Sequence, residues 1–164
     1  MIELREIDWS NLGEILDLKV DKSQEDFILP NEVFIAQAYV NLRMNYPDVV
    51  FGIYSDHVAI GFTKIVLVPK NEKPYYFDHT CYMIDAFMLD SRFQKMGLGR
   101  QAFEKIMLFI HSEPFGTADE IRLLCSVTNM KGQHFFESFG FEAQGHYESN
   151  LKNYIMFSYS IPKK

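Results

Sequence analysis

Gln94-Lys95-Met96-Gly97-Leu98-Gly99-Arg100 is the stretch whose reading decides the fold. Ahead of it, residues 83–89 are an apolar run interrupted at Asp85-Ala86, which reads as a buried strand closed by a turn at Asp90-Ser91-Arg92. Behind it, Leu98, Ala102, Ile106 and Ile110 recur at four-residue spacing with Phe103 and Met107 beside them, while Arg100, Gln101, Glu104 and Lys105 fall on the opposite side. That is a helix. Strand, glycine turn and helix together make an anion cradle, because unpaired backbone N–H groups at a helix N-terminus point outward and the helix dipole favours negative charge there. The guest this arrangement predicts is a diphosphate.

The spacing, Q-x-x-G-x-G, differs from the G-x-G-x-x-G of a dinucleotide fold and from a P-loop, and no Lys-Ser or Lys-Thr pair follows it. The segment resembles motif A of the GCN5-related N-acetyltransferases (GNAT), in which this turn holds the pyrophosphate of acetyl-CoA. Further along, Asn129-Met130-Lys131-Gly132-Gln133-His134-Phe135-Phe136-Glu137-Ser138-Phe139-Gly140-Phe141 resembles the family's N-x-x-A-x-x-F-Y-x-x-x-G-F element, in the expected order and separation. A third stretch, residues 18–31, resembles the N-terminal segment of the polyamine (spermidine/spermine) branch through Val20, Gln24, Phe27, Ile28, Pro30 and Asn31.

Composition agrees with a packed globule. The chain has 164 residues, 48% hydrophobic and 15% aromatic, a one-domain length with enough apolar side chain for a substantial core. A net charge of −6 and a pI near 5.3 argue against a nucleic-acid surface and favour a cationic small molecule. Cys81 and Cys125 lack a CxxC arrangement, so neither a disulfide framework nor a zinc site is expected, and the five histidines show no metal spacing. The N-terminus lacks the long apolar core of a signal peptide and no run reaches membrane-spanning length, so the expected location is cytoplasmic.

Taken in order, the pattern predicts an edge strand over 1–7 and a helix capped by Ser10 and running to about Lys19. A second helix follows over about 31–45, with Val33, Phe34, Ala36, Tyr39, Val40 and Met44 as its core side. Strands over 49–54 and 58–68 are joined by a hairpin at Ser55-Asp56-His57, and a polar two-proline loop occupies 69–74. Beyond the central strand and helix, a strand over 121–127, a helix from Asn129 ended by Gly140, and a strand pair over 141–147 and 153–161 complete the order β-α-α-β-β-β-α-β-α-β-β. The fold class is α/β: a mixed, mostly antiparallel sheet of six to seven strands flanked by four helices, as the resemblance also implies for a single domain over 1–164.

The resemblance further implies a site. Backbone groups of Phe87, Met88 and Leu89 would pair with the pantetheine arm of acetyl-CoA, the co-substrate, and the Leu89 N–H would face the developing oxyanion. Gln94, Lys95, Met96, Gly97, Leu98, Gly99 and Arg100 would cradle the pyrophosphate, with Asn129, Gly132 and Phe136 near the cofactor arm. Gln24, Glu25 and Phe27 would form a wall of the acceptor site. Asp85 carries the role of a Glu or Asp that serves the acceptor amine. Its position inside an apolar strand independently calls for a partner, because a lone buried carboxylate is costly.

The sequence departs from the family where most members carry a Tyr that protonates the leaving thiolate, seven residues after Asn129. Here that residue is Phe136, which has no proton to give. Tyr147, Tyr154 and His134 are the substitutes the chain offers. The reaction implied is direct acetyl transfer to a primary amine, with a polyamine such as spermidine or spermine as favoured acceptor and a homodimer in keeping with many members. Another small amine, a protein N-terminus, or an acetyl-CoA-binding sensor with little catalysis are the competing readings.

Overall fold

A computed structural model describes residues 1–149 and 151–163, so positions 150 and 164 lie outside the described residues. Its seven-stranded sheet has the order β1-β2-β3-β4-β5-β7-β6. The strands are β1 Ile2–Glu6, β2 Asp48–Ser55, β3 Val58–Val68, β4 Cys81–Leu89, β5 Glu120–Ser126, β6 Glu142–Ser149 and β7 Lys152–Ser160. The helices are α1 Leu12–Asp17, α2 Asn31–Arg43, α3 Leu98–His111 and α4 Met130–Glu137. Element order and mixed, mostly antiparallel pairing agree with the sequence reading, β4 and β5 being the parallel pair. The hairpin between β2 and β3 turns through Asp56 and His57, both at positive φ, as a two-residue turn with matching twist requires.

Helices cover both sheet faces. On one, Ala102, Phe103, Ile106 and Ile110 of α3 interleave with Ile53, Ile65, Tyr82, Ile84 and Leu123, and the phenylalanines of α4 pack on the same core. On the other, Ile15 of α1, Leu18 just after it and Phe34 of α2 meet Tyr54, Phe62, Ala86 and Met88. Further along that second face, Phe77 from the loop before β4 packs with Val66, Val68, Cys81, Met83 and Met156. The four-residue repeat of α3 falls on its buried face because a period of 3.6 places those positions on one stripe.

Two expectations at the N-terminal end need correction. α1 begins at Leu12 instead of being capped by Ser10, whose N–H and hydroxyl both donate to Asp8 Oδ1 at 2.7 and 2.6 Å in a local turn. Asp8 competes successfully for those groups because a short carboxylate two residues back closes an Asx turn. α2 occupies the expected span but buries Asn31, Phe34 and Ala38, leaving Ala36, Tyr39, Val40 and Met44 of the expected core side exposed. Its apolar residues are spread around the axis, so periodicity did not single out the buried stripe.

Candidate active site

β4 organises the site by losing its neighbour. Its parallel pairing with β5 runs only from Cys81↔Glu120 to Ile84↔Leu123, while β5 continues along β7 to Ser126↔Tyr154. From residue 85 onward the two strands splay. The N–H of Asp90 donates to the carbonyl of Ile60 across β3, so by strand alternation the backbone groups of Leu89 and Phe87 point into the open splay. The same alternation turns the Met88 backbone toward β3. Of the three residues expected along the pantetheine arm, Phe87 and Leu89 therefore turn their backbone groups into the splay and Met88 does not.

The splay leads directly to the glycine turn. Gly97 is the N-cap of α3 at φ +75°, a left-handed conformation that favours glycine, and no side chain caps the helix. A Cβ at Gly97 would meet nothing within 4 Å, so the space over the first turn of α3 is open. Uncapped N–H groups, an open approach and a 14-residue helix behind them fit a diphosphate. Lys95 and Met96 are exposed at the turn. Gln94 folds inward, its amide donating to Leu89 O at 2.9 Å and to Gln24 Oε1 at 2.8 Å. Arg100 turns toward α4, donating to Ser138 Oγ at 2.9 Å with its guanidinium 4.7 Å from the Phe139 ring.

Asn129 caps α4 by accepting the Gly132 N–H at 3.0 Å. A Cβ at Gly132 would lie 2.4 Å from the Asn129 side-chain nitrogen, so glycine at this position makes room for that rotamer. Phe136 packs 5.5 Å from both Phe103 and Phe135, within an aromatic cluster in which Phe135 stacks on Phe87. The phenylalanine is thus accounted for by packing between α4 and α3.

Asp85 sits at a break in register. Lys64 pairs with Ala86 and Ile65 with Ile84, leaving Asp85 as the extra residue of a bulge. Across it the alternation flips: Ile84 packs under α3, whereas Met83, Ala86 and Met88 face the side of α1, α2 and the loop before β4. The Asp85 carboxylate also points to that side. It is ion-paired with Lys64 and accepts the Tyr75 hydroxyl at 2.8 Å. Burial, then the Asp85 charge, hold the Tyr75 phenol well above its ordinary pKa, so it serves as a donor. These groups floor a cleft of about 280 Å³ walled by Gln37 and Asn41 of α2, Tyr75 of the loop, and Tyr147 and Ser149 of β6.

Asp85 has the partner that sequence reasoning demanded. The identities were not foreseen. Lys64, the lone cation in the apolar run of β3, was the available signal, whereas Asp48, Asn41 and Tyr75 carried none. The segment over 18–31 forms a 3₁₀ turn, Lys22–Gln24, with Asp21 accepting from Ser23 N and Gln24 from Asp21 N. Of the expected acceptor wall, Gln24 is joined to the cofactor side through Gln94, Phe27 is half-buried, and Glu25 is exposed. Beside Glu25, the Asp26 carbonyl accepts Lys152 Nζ at 3.4 Å, which brings β7 to this segment.

The remaining nucleophiles are inert. Burial pushes the Cys81 and Cys125 thiols up to about 12. Tyr147 and Tyr154 face each other across β6 and β7, with Tyr147 in the cleft wall, while His134 is exposed on α4. Among the described residues no cluster of three or more metal-ligating side chains occurs, and no helix is long and apolar enough to cross a membrane.

A splayed β4–β5 pair, an uncapped glycine turn at its mouth and a carboxylate on the opposite face of the same strand make up the candidate site. The acetyltransferase (GNAT) family model matches residues 1–141, and the chain belongs to that family. It is an acetyl-CoA-dependent N-acetyltransferase. Its sequence is 24% identical over 149 residues to a spermine/spermidine N(1)-acetyltransferase of Bacillus subtilis (strain 168), covering 91% of this chain and 93% of the relative. Its fold is similar to an aminoglycoside acetyltransferase in complex with coenzyme A, at TM-score 0.76 and 14% identity over 98% of this chain and 95% of that one. A ribosomal L7/L12 alpha-N-protein acetyltransferase in complex with coenzyme A superposes at TM-score 0.71 with 17% identity, over 98% of this chain and 94% of that one.

Proposed function

We propose that this enzyme transfers the acetyl group directly to a primary amine docked at Asp85, and that polyamines such as spermidine or spermine are its favoured acceptors. The observation that carries the docking role is the bulge, which turns Asp85 onto the floor of the cleft while Leu89, on the same strand, presents its N–H to the splay. The polyamine reading is supported by the activity of the Bacillus relative and by the carboxylates of Glu25 and Asp26 in the acceptor segment and of Glu32 just after it.

In this reading the N–H groups at the start of α3, with Gly97 and Gly99, hold the pyrophosphate, and Phe87 and Leu89 pair with the arm. Acetyl-CoA supplies an activated thioester carbonyl. The Leu89 N–H is the donor toward the oxyanion that develops as the amine attacks. An amine of pKa about 10 and an ordinary carboxylate near about 4 differ by about 8 kcal/mol, so full deprotonation by a carboxylate is unfavourable. Asp85 instead docks and orients the ammonium, and water carries the proton away. Tyr147, in the cleft wall, and Tyr154, opposite it across β6 and β7, are the candidates to serve the leaving thiolate in the absence of a hydroxyl at Phe136.

The test is release of coenzyme A thiol, with and without spermidine, spermine, a primary monoamine and a peptide with a free N-terminus, from about pH 7 to about pH 9. Polyamine-dependent release that rises with pH is the expected result. Release with the peptide alone would move the acceptor to protein N-termini. Saturable acetyl-CoA binding with no acceptor-dependent release would leave a sensor.

A further inference from the structure

Two carboxylates and one ammonium are gathered beneath the acceptor cleft, and together they are one positive charge short. Lys64 Nζ lies between Asp85 and Asp48, 3.0 Å from Asp48 Oδ2. The side chains of Lys64 and Asp48 are 0% exposed and that of Asp85 only 10%, so none of these charges is balanced by bulk water. Asn41 donates to Asp48 Oδ2 at 2.7 Å, whereas Asp48 Oδ1 is buried without a hydrogen-bond partner. An unsatisfied carboxylate oxygen in this setting calls for an explanation.

We propose that Asp48 is a positioning residue for acceptor specificity: by occupying Lys64 from behind, it leaves the cleft one cation short, so that Asp85 takes the ammonium of the acceptor. The proposal rests on the docking role of Asp85 given above. With Asp48 ionised, the trio carries −1 − 1 + 1 = −1, and one substrate ammonium brings it to zero. When the ammonium docks, Lys64 retains Asp48 as counter-ion, and the unpartnered Oδ1 offers it a second acceptor. Without Asp48, Lys64 and Asp85 would neutralise each other and nothing in the floor would demand a cation. Burial pushes the Asp48 carboxyl up, and the Lys64 ammonium and the Asn41 amide, both in contact with it, oppose that rise and favour its ionised form. Lys73 at the rim is exposed and its charge is screened by solvent.

The experiment compares Asp48→Asn, Asp48→Asn/Lys64→Met and Asp85→Asn on whichever of spermidine, spermine and a primary monoamine the unaltered enzyme turns over, with KM measured for amine and acetyl-CoA separately and a thermal melt for each variant. Asp48→Asn is isosteric and keeps a group to pair with Asn41. The expected result is an amine KM raised about 10-fold or more with acetyl-CoA KM within about twofold. Adding Lys64→Met returns the floor to one net negative charge and should bring the amine KM back toward the original value. An Asp48→Asn enzyme whose amine KM is unchanged, while Asp85→Asn is impaired, overturns the role of Asp48 alone. A double variant no better than Asp48→Asn also overturns it. Unchanged amine kinetics in Asp85→Asn would instead remove the docking reading on which the proposal stands.

Discussion

Gln94 donates its side-chain amide to Gln24, 70 residues earlier in the chain, at 2.8 Å. The same amide reaches the carbonyl of Leu89 at 2.9 Å, so one side chain ties the glycine turn both to the acceptor segment and to the end of β4. Each such bond contributes about 0.5–1.5 kcal/mol net, and losing two amounts to about a tenfold change. Gln94→Ala should raise the KM for acetyl-CoA about tenfold. Gln24→Ala should raise it less, and the double variant should fall short of the summed effects, because both single changes delete one shared bond.

Gly97 is expected to resist substitution through its backbone and not through its surroundings. A left-handed conformation costs a non-glycine residue about 1–2 kcal/mol, while the space beyond its Cα is open. Gly97→Ala should therefore lower acetyl-CoA affinity, read by calorimetry, and lower Tm by about 2–8 °C. Gly97→Asn should be milder, since asparagine enters that region more readily. Equal binding by all three proteins would show that the turn does not hold the pyrophosphate.

Asp90 joins the end of β4 to the stretch after α1. Its carboxylate accepts the backbone N–H groups of Lys19 and Arg92 at 2.9 and 3.0 Å and the Arg92 guanidinium at 2.7 Å. Asp90→Ala should cost about 3 kcal/mol in denaturant unfolding, because two backbone donors lose their acceptor. Burial by itself would raise this carboxyl, yet the bonds from Arg92 and from the Lys19 backbone bring it below its ordinary value. A lowered folded pKa gives stability that is complete above the unfolded value of about 4 and drains away as the pH falls through the folded one. The Tm difference between the original chain and Asp90→Asn should be full near about pH 7 and shrink toward about pH 3.

Phe136→Tyr tests whether thiolate protonation limits turnover. The ring is half-buried beside Phe103 and Phe135, so the added hydroxyl should change Tm little. A general acid contributes about 10²–10⁴ in rate when its step is limiting. An increase in kcat is expected if proton delivery is slow in the native enzyme. An unchanged kcat would mean that the proton comes from another donor or that no general acid is needed, and Tyr147→Phe and Tyr154→Phe are the variants that separate these two outcomes.

Direct transfer predicts that Cys125 is dispensable. With its thiol pushed up to about 12 by burial, it is a poor thiolate source near neutral pH. Cys125→Ala should retain kcat within about twofold and show no burst of acyl-enzyme by mass spectrometry. A tenfold fall in kcat with unchanged Tm would reopen an acyl-enzyme route.

The sequence by itself determined the strand, glycine turn and helix that run from β4 into α3. Gln94 to Arg100 and the repeat of α3 lie in one continuous stretch, where spacing dictates local geometry, and the order of the elements followed from the same kind of pattern. It also marked Asp85, since a carboxylate in an apolar strand needs company. Tertiary structure alone supplied that company: Lys64 from the adjacent strand, Asp48 from the next, Asn41 from α2 and Tyr75 from a loop. It also decided which face of α2 is buried, since that depends on how the helix lies on β2 and β3. Local pattern fixes the direction of a strand or the opening of a helix through backbone sterics and periodicity. A charge cluster drawn from three strands arises only when the sheet is paired and one residue bulges out of register.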